Sequence, residues 1–302
     1  MLLLAGFGLL MTGAAHGDDA HGDDAYTIKL RVPQPGDSYW IEVASTTKGS
    51  GKVVDQEGNP LFEKGGKHED TAEAYRETVL TVKDGKLASF RREYKSGHKK
   101  IGDKTEDFPF LGKAIVIEKR SGKCSFHLEN GPQLLGKDAA PLEAEFNEND
   151  IGDDGMEHYL PGKPVRVNDS WPIKKSPALQ RLNNAQRDES RPQIDESRVE
   201  GTATLLRVYK KDSLQFGVIK VTCKYPCKPG DLVQSGERLQ LQPGSHLAAT
   251  MVLDACIDGS LGPGQYEVVI HMNLDFTLPN LTGDALRLKM TGQSTTHRKW
   301  RK

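Results

Sequence analysis

Chemistry needs side chains of the right type at the right spacing, and four stretches of this sequence offer candidates. Cys223 and Cys227 stand at a spacing found in one half of a structural zinc site, while Cys124 and Cys256 are distant singles. A zinc site needs a second close pair, and neither His246 nor His271 provides one, so disulfides or buried thiols are the expected state. Four cysteines allow three pairings. The pentapeptide Ala15-His-Gly-Asp-Asp recurs from Ala20. His with Asp can hold a metal loosely, but a short polar repeat containing glycine reads as a solvated spacer. His68-Glu69-Asp70 lies in a charged stretch and reads as solvated rather than catalytic. The run NENDIGDDGMEH, Asn147 to His158, is rich in oxygen ligands but lacks the opening Asp and closing Glu of an EF-hand loop, so an acidic linker is expected.

No catalytic constellation comes out of these stretches. The patterns GxSxG and HExxH, a phosphate loop and a Cys-His pair with a local signature do not occur. Triads can assemble from residues distant in sequence, so a hydrolase stands as a remote alternative. The sequence assigns no catalytic residue, no cofactor and no metal ligand.

The elements that would position any site are marked by two turns. Residues Leu160 to Ile173 read LPGKPVRVNDSWPI, in which Pro161 and Pro164 hold the chain extended. Asn168 and Asp169 suit a tight turn that delivers Ser170 and Trp171 into a strand. Upstream, Pro35-Gly36-Asp37-Ser38-Tyr39-Trp40-Ile41 has the same grammar, so Asp37 with Trp40 and Asp169 with Trp171 are expected to be a turn and a core anchor at the start of two halves. The run Leu160-Pro161, Pro164-Val165, Val167-Asn168-Asp169-Ser170-Trp171 resembles an LPxxPVxxGDSW-type signature of uncharacterised secreted bacterial proteins rich in β-structure. That resemblance covers about a dozen residues. It implies a β-rich exported protein and brings no activity, ligand or catalytic residue. Asn168 stands where the pattern has Gly, and either residue can take positive φ.

Composition sets outer bounds. The chain has 302 residues, 36% hydrophobic content and 31 Gly, enough for two ordinary domains or one large β domain. A net charge of −1 argues against nucleic acid as a partner. Met1 to Met11 is a short apolar run followed by small residues through Ala15, which fits a signal peptide over residues 1–17 and a spacer over 18–25, although the usual basic opening is missing. The expected location is secreted or periplasmic. No later stretch is apolar enough for a membrane span.

Hairpin grammar then recurs. Arg76 to Lys83 and Lys86 to Tyr94 flank Asp84-Gly85; Ala114 to Arg120 and Lys123 to Glu129 flank Ser121-Gly122. Val199 to Tyr209 and Leu214 to Tyr225 flank Lys211-Asp212-Ser213, and His246 to Ile257 and Gln265 to Thr277 flank a Gly-rich connection. In the last strand Tyr266, Val268, Ile270, Met272, Leu274 and Phe276 share one face, and Glu267, His271, Asn273 and Asp275 the other, as in a sheet with one wet side. Tyr26 to Val32 and Tyr39 to Ser45 alternate as strands, Gly49 to Gly66 reads as a loop, and Arg287 to Thr295 as a closing strand. His297 to Lys302 reads as a solvated basic tail. Short helices are expected within Asp138 to Asn149 and Ser176 to Leu182.

The expected fold is mainly β: curved antiparallel sheets, half-barrel or sandwich-like, in two similar halves over residues 26–150 and 151–302, with one or two short helices as filler. Two functional classes follow. One is a binding or carrier module of the cell envelope for an apolar or extended ligand; the other is a structural or protein-interaction module with a self-filled core.

Overall fold

The structure, a computed structural model, describes residues 24–120, 123–146, 159–173, 192–234, 237–278 and 286–301. Fourteen strands form a single antiparallel sheet. They are β1 (Ser38–Val54), β2 (Pro60–Lys83), β3 (Lys86–Ile101), β4 (Lys104–Asp107), β5 (Ala114–Arg120), β6 (Lys123–Leu128) and β7 (Ser170–Pro172), then β8 (Glu200–Lys211), β9 (Leu214–Pro226), β10 (Gly230–Gln234), β11 (Glu237–Leu241), β12 (His246–Cys256), β13 (Pro263–Leu278) and β14 (Leu286–Arg301). The spatial order is β6-β5-β3-β2-β1-β14-β13-β12-β9-β8-β7, with β4 on β3 and the β10–β11 hairpin on β13. The sheet does not close. Among the described residues the one α-helix, α1 (Ala140–Phe146), follows a 3-10 turn at Gly136–Asp138, and a second 3-10 turn lies at Glu196–Arg198.

Two meanders meet at the β1–β14 seam, and the same hook opens each. Asp37 accepts from the Gln34 amide at 2.9 Å, and Asp169 accepts from the Arg166 amide at 2.8 Å. The residue before each Asp has positive φ, +88° at Gly36 and +71° at Asn168. That residue's N–H donates to a strand carbonyl, Gly36 to Val79 at 2.8 Å and Asn168 to Leu205 at 2.7 Å. The strand amide answers to the Asp carbonyl, at 2.8 Å for Val79 and 3.1 Å for Leu205. Ser38 then pairs with Thr78 through hydroxyls at 3.2 Å, and Ser170 with Thr204 at 2.8 Å. Just beyond each hook lies a β-bulge whose extra residue is a leucine, Leu80 or Leu206. Each bulged strand ends in a two-residue turn with both φ positive, Asp84-Gly85 or Asp212-Ser213. β5 and β6 pair as expected, although Ser121-Gly122 lies outside the described residues.

One face of the sheet carries three apolar clusters. The first sits on β8, β9 and β12 and includes Trp171, Leu205, Ile219 and Leu253; Tyr26, Ile28 and Val165 pack over it. The second sits on β1, β2, β3, β5 and β6, covered by Phe110 and by Ala139, Leu142 and Phe146 of the helical segment. The third lies on the far ends of β13 and β14 under Ile194 and the β10–β11 residues Leu232, Leu239 and Leu241. The opposite face carries Glu42, Lys48 and Lys52 of β1, Glu267, His271 and Asp275 of β13, and Lys289, His297, Lys299 and Arg301 of β14. Those charges need water, which is why every cover lies on the first face.

Three expectations are corrected. Tyr26 to Val32 is not a strand; it makes isolated bridges, Tyr26 to Val165 and Lys29 to Asp258, and its apolar residues belong to the second half's core. Gly49 to Gly66 is not a loop, because β1 runs to Val54 and β2 begins at Pro60. Ladders on both sides of β1 offset glycine's entropic cost there, and a Cβ at Gly66 would collide with the Gly49 carbonyl. The basic residues His297 to Arg301 are not a tail: they pair with β1 in mid-sheet, placing Arg298 and Trp300 on the clustered face. The helix around Pro141 is α1, with Leu142 and Phe146 buried. The segments 147–158 and 176–182 lie outside the described residues.

Candidate functional site

The turn-and-anchor residues occupy equivalent places with one exception. Trp171 is 5% exposed, and its indole N–H donates to the Tyr159 carbonyl at 2.8 Å. Asp37 is bridged by Arg31, with guanidinium contacts of 2.7 and 3.0 Å from one nitrogen; that hydrogen-bonded ion pair holds its carboxyl below the usual range. Trp40 does not anchor the core. The register runs from the hook serine, so Tyr39 opposite Glu77 corresponds to Trp171 opposite Ala203. Trp40 falls on the charged face and donates to Glu42 at 3.1 Å, while Ile41 is fully buried.

The four cysteines are free thiols in separate settings. Cys223 and Cys227 lie on one strand and its extension, about 13 Å apart along the chain, with Cys223 in the first cluster and Cys227 in the third. That separation excludes both a shared zinc and a bond between them. Burial pushes the Cys227 thiol up to about 11. Cys256 points at Asp258, 3.0 Å away, and Asp258 also accepts from the Gln215 and Ser260 amides, which closes a turn. Cys124 is half-buried on β6 near the Phe146 carbonyl.

Sequence reading missed a buried ionic cluster in the first half. Arg92 is 1% exposed. Its Nε and Nη2 donate to Glu77 at 2.9 and 2.6 Å, and its Nη1 donates to both Glu145 oxygens at 2.9 and 3.0 Å and to the Tyr94 hydroxyl at 3.1 Å. The guanidinium lies 3.9 Å from the Tyr75 ring centre and 4.9 Å from that of Phe146. Arg298 of β14 donates to the Tyr75 hydroxyl at 3.1 Å. Beside them Glu73 is half-buried, with neither a hydrogen bond nor an ion pair among the described residues. Loss of hydration pushes its carboxyl up to about 7 against the pull of Arg92. The available signal was parity: Glu73 and Glu77 alternate in step with Tyr75 and Val79, and Arg92 with Phe90 and Tyr94, so charges sit on a row that is otherwise apolar.

Between the clusters the face is only partly packed: Ala249 and Val268 lean on the first cluster, Leu247 and Met272 on the third, and Ile270 on none of them. Paired rows cross it: Cys223, Ala249, Ile270, Ser294, Thr47, and beside it Tyr225, Leu247, Met272, Gly292, Gly49. Ile270 points to the clustered side in mid-sheet yet is 40% exposed. On the seam the hydroxyls bond in pairs, Ser45 with Thr296 at 3.0 Å and Thr47 with Ser294 at 3.1 Å. The result is an apolar strip of Leu247, Ala249, Val268, Ile270 and Met272, bordered by paired hydroxyls that end at Val43, Glu73 and Arg298.

No family model matches this chain, and no curated protein matches it. Among solved structures it is similar to lipovitellin, in a study of lipid–protein interactions, at 7% identity and TM-score 0.30, over 86% of this chain and 25% of that one. It thus spans about a quarter of the lipovitellin chain. It is also similar to the Salmonella typhi OmpF–daunomycin complex (7% identity, TM-score 0.21, 86% and 97% covered) and to an outer membrane channel of Pseudomonas putida F1 (9%, 0.19, 93% and 99%). Likeness at this level assigns neither activity nor ligand. No helix among the described residues is long and apolar enough to cross a membrane.

Proposed function

We propose that the protein is an exported binding module of the cell envelope, and that it holds an apolar or extended ligand on the strip around Ile270. Export rests on the apolar run and small residues before Gly17; amino-terminal sequencing of periplasmic or secreted material tests it, and a cytoplasmic product retaining Met1 would end it. The observation that carries the binding reading is Ile270 itself. A core-facing residue in mid-sheet belongs under a cover, and Ile270 packs in none of the three clusters that its strip neighbours lean on among the described residues. The charged opposite face argues against a wall facing lipid, which would need an apolar outer band.

A neutral apolar fluorescent dye titrated into the full chain is the direct measurement. Saturable binding is expected, weakened at least about ten-fold by Ile270→Asp, since a buried carboxylate on the strip must be desolvated. Because Ile270 is only 40% exposed, the substitution should also cost on the order of 1–2 kcal/mol, so affinities are compared well below the variant's unfolding midpoint. Equal dye affinity in both proteins would replace this reading with that of a self-filled interaction module.

A further inference from the structure

We infer that the strip takes an amphiphile whose polar end is a cationic amine, seated at Glu73; this rests on the binding reading above. The geometry gives a continuous path. From Glu73 on β2 the clustered face leads past Val43 and Thr71, over the Ser45–Thr296 hydroxyl pair, to Val268 and Ile270 on β13. Three strand spacings and four residues along the strand make this on the order of 20 Å along the sheet. Because each seam pair already makes one hydrogen bond between its hydroxyls, an apolar chain crossing it leaves one O–H per pair to be satisfied rather than two.

Charge selects the head group. The charged groups around Glu73 are Arg92 of β3, Glu77 of β2, Glu145 of α1 and Arg298 of β14. Arg92 is engaged by both Glu77 and Glu145, and Arg298 donates to Tyr75. Glu73 is a carboxylate that makes no hydrogen bond or ion pair among the described residues. An ammonium answers that charge and donates to the free oxygens, an alcohol answers only the hydrogen bond, and a carboxylate adds a second negative charge. Burial pushes Glu73 up to about 7, so the ionised form that pairs with an amine prevails above that pH.

The test uses the full chain and three ligands of equal length, dodecylamine, dodecanol and dodecanoate, each displacing the neutral dye. At pH 8 the amine should bind about ten- to hundred-fold more tightly than the alcohol, the worth of a charge-assisted hydrogen bond. The advantage should shrink below pH 6, where the amine is still cationic and Glu73 is protonated. Glu73→Gln, checked for an unchanged far-ultraviolet spectrum, should bring the amine down to the affinity of the alcohol. Equal affinities in the wild-type protein, tighter binding of dodecanoate, or an amine preference that survives Glu73→Gln each overturn the inference while leaving the strip standing. If the dye itself fails to bind, the strip reading falls and the inference with it.

Discussion

The two halves share a hook, a leucine bulge and a hairpin, yet fill the space above them with opposite chemistry. In the first half Glu77 faces Arg92 and Tyr75 faces Tyr94; at the equivalent places in the second, Ala203 faces Val221 and Gly201 faces Cys223. The small residues of the second half make room for Trp171 and Ile173. A Cβ on Gly201 would meet Ile173 at 2.9 Å and the Cys223 sulfur at 3.1 Å. The first half fills the corresponding space with aromatic rings around a guanidinium and closes it with Glu145 of α1. One backbone thus accepts either filling, so the ionic cluster is not something the fold requires. Buried ion pairs are poor stabilisers compared with apolar packing.

The largest expected effect comes from breaking that cluster unequally. Arg92→Val alone leaves Glu77, whose side chain is 18% exposed, without its arginine and takes a contact from the more exposed Glu145; it should cost about 3–5 kcal/mol in urea unfolding. Adding Glu77→Ala and Glu145→Ala imitates the second half and should recover most of the loss. If the triple variant is as unstable as the single one, the two fillings are not interchangeable.

The anchors sharpen the comparison next. Trp171→Ala should cost about 3–5 kcal/mol, as removal of a buried large aromatic does, whereas Trp40→Ala on the charged face should cost less than about 1 kcal/mol. Thermal unfolding of the pair decides it, and similar losses would show that the register was misassigned.

Glu73 gives a smaller, pH-dependent effect. Its folded value lies above its unfolded one, so the native state holds the extra proton; the associated stability is complete below about pH 4 and is lost as pH rises through about 7. Glu73→Gln, which stays neutral, should therefore be about 1–3 kcal/mol more stable than wild type at pH 8 and equal to it at pH 4. A difference that does not change with pH would remove the desolvation account. Smallest are the hooks. Asn168→Gly should stay within about 0.5 kcal/mol, and Gly36→Ala should lose about 1 kcal/mol, because only the latter forces a new Cβ into positive φ.

What the sequence determined by itself was local. The turn at Asp84-Gly85 needs only its own positive φ, α1 needs Pro141 and the Leu142–Phe146 spacing, and the two Asp-Ser marks close on residues three positions upstream. The alternation of β13 was likewise legible, since period two is written in neighbouring residues. What the tertiary structure decided was non-local. Arg298 becomes a site residue only because β14 pairs with β1, some 250 residues away in the chain. Gly49 is a strand residue because ladders flank it on both sides, and Tyr26 crosses to the second half's core because an apolar cluster there lacks a cover. A charge such as Arg92 looks solvated until two other segments, β2 and α1, bring Tyr75, Glu77 and Glu145 around it. Burial and charge pairing depend on which strands meet, and no window of neighbouring residues contains that information.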